Sequence, residues 1–306
     1  MKQCTLSSTL FKSSFAFVVG VVLTVALIAP GIVLAQDAPQ AASDPAASAS
    51  PTLPPGKVDV NTVFLKPQDT ERPTQLLTLY QNQVEKYRTL EREYTIAKAQ
   101  FKQLNTLQSL EQTVVATRDV MVARDEVLIT YCELLHAYLE ESQGVDVSAK
   151  SANLKALEAQ IVSLREHTAA TAETKDRAGI ADRVSDFSTR TETLEEKAYT
   201  ALSLIATGRV QSVFDKAVIL YEDIKKHHAE NTVSALKQEE RMRAYIEVEG
   251  TIKKLEADML SIQTTLRESG ASKNIYKGRL NKNLNSAYVN NSQLLDFLDE
   301  LFFKLT

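Results

Sequence analysis

All eight prolines of this chain lie at or before position 73, and residues 74–306 contain none. Proline inside a helix removes a backbone hydrogen bond and clashes with the preceding turn, at a cost of about 3 kcal/mol. A stretch of that length without one is what long helices require. Glycine is sparse in the same stretch, at 144, 179, 208, 250, 270 and 278 only.

Within it, apolar residues recur every seven positions in paired rows, the pattern of helices packing on helices. Tyr80, Tyr87, Tyr94 and Phe101 form one row beside Leu76, Leu90 and Leu104. An aromatic stripe of this kind is either a binding face or half of a core seam. The leucine row beside it favours the seam. Leu107, Val114, Met121, Leu128 and Leu135 mark a second segment, interrupted on the companion row by Thr117 and Arg124. A third runs from Val147 through Leu154, Leu157, Ile161 and Leu164, and the stretch from Thr168 reads as a loop or frayed end.

Ile180, Phe187, Leu194 and Ala201 begin a fourth segment. Its phase slips at Gly208 before Val210, Ala217 and Ile224. No Pro, Asn or Asp marks a turn there, so it reads as one bent helix of about 50 residues. Tyr245, Ile252, Met259 and Leu266 give a fifth, and Leu280, Ala287, Leu294 and Leu301 a sixth. Pro73 suits a helix start, Ser109 with Gln112 a capping box, Gly144 a stop and Ser272 an N-cap. Short connections make neighbouring helices antiparallel. The expected fold is all-α: an elongated, coiled-coil-like antiparallel bundle of about six long helices over 74–306. Two bundles sharing the long fourth helix are the alternative.

The N-terminus has the parts of a secretory signal in order. Lys2 and Lys12 precede a nearly unbroken apolar run from Phe15 to Ile28, and Pro30-Gly31 then breaks it. Val33 and Ala35 stand at −3 and −1 of a cleavage site before Gln36. The alternative keeps residues 15–34 as a transmembrane anchor, for which their number suffices. Both readings export the rest of the chain, because the lysines stay inside. Residues 36–73 are rich in Ala, Pro and Ser and read as a flexible tether.

Chemistry is hard to find. The net charge of −4 and the lack of a dense basic run exclude nucleic acid as a partner. His136 with Glu140, and Asp223 with His227, have i, i+4 spacing, which suits a metal on a helix face or an ordinary surface pair equally. Adjacent His227 and His228 point about 100° apart and do not share an ion easily. No phosphate-binding glycine loop, G-x-S-x-G or H-E-x-x-H occurs, so no catalytic, cofactor or metal residue is assigned. An enzyme would need a pocket built from scattered polar positions such as Thr117, Arg124 and Asn291. Cys132 is the one cysteine beyond the signal and reads as a small buried hydrophobe. In the C-terminal stretch, Leu294, Leu298, Leu301 and Leu305 read as the end of the core; the alternative is that Phe297, Phe302 and Phe303 widen the stripe for a partner helix or a membrane surface.

The expectation is an exported, non-enzymatic helical scaffold or interaction module of the cell envelope, acting through a protein partner or as a homo-oligomer. A membrane-anchored sensor or spacer is the alternative. A helical pore-forming toxin and an enzyme follow behind. Membrane contact is expected through the N-terminal segment only.

Overall fold

In the computed structural model the described residues are 71–231, 233–269 and 272–304. The chain divides into two units, 1–66 and 67–306, and the described residues all belong to the second. The predicted signal with Val33, Ala35 and Gln36, and nearly all of the tether, lie outside them. Among the described residues no strand occurs, and the fold is all-α.

The elements are α1 (Glu71–Leu104), α2 (Leu107–Glu141), α3 (Val147–Ala172), α4 (Arg177–Thr191), α5 (Leu194–Glu230), α6 (Ala235–Ser269), a single turn α7 (Lys273–Ile275), a π-helical turn (Tyr276–Leu280) and α8 (Asn281–Lys304). Side-chain bonds fix their directions. Arg72 reaches Glu140, Lys86 reaches Glu126, and Thr113 donates to the Ala97 carbonyl, so α1 and α2 are antiparallel. His136 with Glu158 and Arg165 with Glu133 set α3 antiparallel to α2. Asn283 with Ser261 and Asn290 with Asp258 do the same for α8 on α6. Asn291 donates to the Val210 carbonyl at 3.0 Å and ties α8 to α5.

The core centres on α2. From Val120 to Leu139 it is buried on nearly every side, against α1, α3, α4 and α5. A helix that is apolar all round belongs inside. Burial thins towards the α1–α2 turn, where only Ser109 and Thr117 are buried between 95 and 119. The first half of α5 packs on α2 and α3, and its second half meets α6 and α8. α5 is thus the helix in contact with both groups of helices.

The helix is continuous through Gly208, as expected, but the foreseen helix of about 50 residues is divided at Glu192-Thr193 into α4 and α5. Beside the break the Arg190 carbonyl accepts the Gln160 side-chain amide at 2.8 Å. A side chain from a neighbouring helix that bonds a backbone carbonyl makes such a break tolerable. Gly208 has another reason. The α2–α3 loop crosses α5 at this point, and a Cβ on Gly208 would stand 2.6 Å from the Gln143 carbonyl oxygen and against Val145. Gly144, at φ +71°, lies on the other side of this contact.

Other local expectations shift slightly. The stretch from Thr168 stays helical to Ala172, and α1 already includes Glu71, with Pro73 buried in its first turn. The capping box at the start of α2 uses Thr106 as cap and Ser109 as its N3 partner, not Ser109 as cap. Ser272 occupies the N-cap position of α7 without a side-chain cap bond. Tyr80, Tyr87 and Tyr94 are buried, so the aromatic stripe is a core seam.

Candidate functional site

Arg124 and Asp125 sit in the middle of α2, where apolar residues surround them. Both are buried. The Asp125 carboxylate has one oxygen 3.5 Å from Arg124 Nη2 and the other 2.6 Å from His167 Nδ1 of α3. His167 Nε2 lies 2.9 Å from the Arg183 carbonyl oxygen of α4. Both ring nitrogens thus face oxygen atoms, of a carboxylate and of a backbone carbonyl, while Arg124 Nε is buried without a partner. The Arg124 guanidinium carbon lies 3.2 Å from the centre of the Phe187 ring, and the His167 ring packs on the same phenyl at 5.6 Å. Burial lowers the Arg124 pKa, and Asp125 opposes that shift. The neighbouring Tyr87 hydroxyl is pushed up to about 12, mainly by burial, with the Glu91 charge adding and Arg124 subtracting.

An aspartate that orients a histidine resembles part of a nucleophile-activating arrangement. Here the second ring nitrogen is occupied by a backbone carbonyl, and the ring itself is fully buried. Among the described residues no serine, threonine or cysteine side chain bonds to His167. The cluster therefore joins α2, α3 and α4 and holds Phe187 against the core.

A second polar group closes the α5–α6 end. Buried Arg241 of α6 donates to the carbonyls of His228, in the last turn of α5, and of the C-cap Asn231. A cation at a helix C-terminus satisfies free carbonyls and complements the dipole. His228 Nδ1 lies 2.8 Å from the Tyr245 hydroxyl, and its Nε2 is buried with no partner. Burial, then Arg241 and His227, lower the His228 pKa. Next to it, Tyr221 donates to Glu249 at 3.0 Å. Glu249 thus faces α5 rather than Lys253 one turn along its own helix, whereas Glu239 and Arg243 pair along α6 at 2.6 Å.

The remaining sequence candidates fall apart in space. His136 bridges Glu140 and Glu158 on a partly open surface, and His227 meets Asn231 rather than Asp223. Among the described residues no group of three or more His, Cys, Asp or Glu is placed to share a metal ion. Thr117 and Asn291 are buried on different helices and bond separate backbone carbonyls, of Thr113 and Val210. Cys132 is fully buried, with its thiol pushed up to about 12 by burial, and is shielded from chemistry and from pairing between chains. Leu294, Leu298 and Leu301 are core, while Phe302 and Phe303 are exposed on α8.

Sequence reasoning missed the Asp125–His167 pair. Its signal was present in two halves. Arg124-Asp125 breaks an apolar run, and His167 continues the buried phase of Leu157, Ile161 and Leu164. Only the packing of α2 on α3 joins them.

No family model matches the chain, and no curated protein or solved structure is found to be similar to it.

Proposed function

We propose that this chain is an exported helical scaffold or interaction module of the cell envelope, which acts through helix surfaces rather than through a catalytic pocket. The observation that carries this reading is the distribution of apolar and polar side chains. The buried ionic groups Asp125, His167 and Arg241 are spent on bonds between helices, and Arg124 is stacked on Phe187. Large apolar side chains are left on outward faces, with Leu104 59% and Leu107 72% exposed at the α1–α2 turn. Half-covered Phe101, Leu110 and Val114 lie beside them. A partly covered apolar seam at a helical hairpin end suits a partner helix.

Export rests on the order of parts in residues 1–36, with cleavage before Gln36. The membrane-anchored spacer differs only in keeping residues 15–34. One experiment separates these readings. A photo-crosslinker is placed at Leu107 in the chain expressed in its native cell, and the mature N-terminus is read by mass spectrometry. A chain that begins at Gln36 and gives a discrete crosslinked protein supports the exported module. An intact N-terminus in the membrane fraction supports the anchored spacer. An unprocessed chain in the cytoplasm, or crosslinks to no protein, overturns the proposal.

A further inference from the structure

The seam between α1 and α2 holds polar atoms that packing within the chain leaves unanswered. Tyr80 of α1 and Tyr131 of α2 are buried, and their ring centres lie 5.8 Å apart. Neither hydroxyl has a hydrogen-bond partner among the described residues. The same holds for Gln83 Oε1, one turn along α1 from Tyr80 and also buried. Burial pushes both phenols well up, so each hydroxyl keeps its proton and has a bond to give.

Two more tyrosines close the place from the other side. Tyr199 of α5 and Tyr276, the first residue of the π-helical turn, are buried with ring centres 5.1 Å apart. After burial, the neighbouring Tyr80, Cys132, Tyr199 and Tyr276 hold the Tyr131 phenol up, which places Tyr131 in the middle of the group. Short π-helical turns are rare and recur at functional sites, and this one brings a fourth phenol to the core. A buried hydroxyl left without a bond costs more than the bond is worth, and natural cores avoid it. Phenylalanine, which this core uses at Phe187 and Phe214, fills the same space without that cost.

We infer that Tyr80 and Tyr131 form an internal binding site for water, in which one molecule bridges the two hydroxyls and donates to Gln83 Oε1. An internal water makes about three bonds to buried polar groups that the protein itself leaves open, and these three atoms supply them. The bridge fastens α1 to α2 where their side chains do not bond directly, and the rings of Tyr199 and Tyr276 shield it. Bonds through a held water are nearly as good as direct ones. The inference stands apart from export and from any cellular partner, and its test uses the purified chain.

Phenylalanine variants keep the rings and remove only the hydroxyls, so they fold and isolate the bond. Y131F is expected to lower the melting temperature by about 2–4 °C, and Y80F by a similar amount, because each loses a bond to the water. Y80F/Y131F is expected to lose less than the sum of the two, since both hydroxyls serve one molecule. Water oxygen-17 relaxation dispersion counts long-lived internal waters, and it is expected to find fewer in Y80F/Y131F than in the wild type. A melting temperature that rises in Y80F or Y131F reveals a dry hydroxyl and overturns the inference. Additive losses overturn the shared water, and an unchanged count of internal waters overturns the site.

Discussion

Replacing Asp125 by alanine leaves Arg124 and His167 buried without their shared anion. Removing one member of a buried ionic group costs about 3–5 kcal/mol, because the partners stay desolvated and unpaired. The expected outcome for D125A is a loss of that size in urea unfolding. The triple replacement R124M/D125L/H167F is expected to lose much less, since apolar side chains remove the burial penalty along with the bonds. His228 sets a different dependence, on pH. Burial and the nearby cations lower its pKa in the folded state. The unfolded chain therefore takes up the proton first as pH falls, and folding stability declines. The contribution is fully present above the ordinary imidazole value of about 6.5 and is lost as pH falls through the lowered one. Thermal melting across pH 8 to 5 (about the range in which imidazoles titrate) should show this fall, and His228→Gln should flatten it.

At the scale of the element, two helical glycines separate propensity from packing. Both sit in long helices, where alanine is the better helix former by about 1 kcal/mol. At Gly208 the added methyl would press on the Gln143 carbonyl and on Val145 of the crossing loop. Overpacking of this kind costs about 1–3 kcal/mol, so G208A is expected to destabilise the fold. At Gly250 the methyl meets open space within the chain, so G250A is expected to raise monomer stability by about 0.5–1 kcal/mol. Chemical unfolding of the two variants side by side checks the opposite signs. The break at Glu192-Thr193 follows the same logic in reverse. Nothing local demands it, and Gln160 from a neighbouring helix makes it tolerable by satisfying the Arg190 carbonyl.

For the molecule as a whole, the nearly all-round burial of α2 and the thinning at its first turns imply a gradient of stability. Amides of 120–139 are expected to exchange slowest in native-state hydrogen exchange, and those of 95–119 and 235–247 well before them, because few side chains are buried there. Uniform exchange across α2 would contradict this. Much of the fold was legible in the sequence. The proline-free run and the seven-residue rows gave the all-α class, nearly every helix and the burial of Tyr80, Tyr87 and Tyr94. These features follow from backbone sterics and from the period of the helix, which act within one segment. The polar cluster was not legible, because Asp125 and His167 come from different helices and become a pair only when α2 and α3 settle into register. The purpose of Gly208 was hidden for the same reason: a phase slip in one helix does not reveal which loop crosses it. Sequence alone determined which segments are helical and which of their faces are apolar. The tertiary structure decided which buried charges meet, where a helix breaks, and which apolar faces stay open to a partner, since each depends on contacts between residues far apart in the chain.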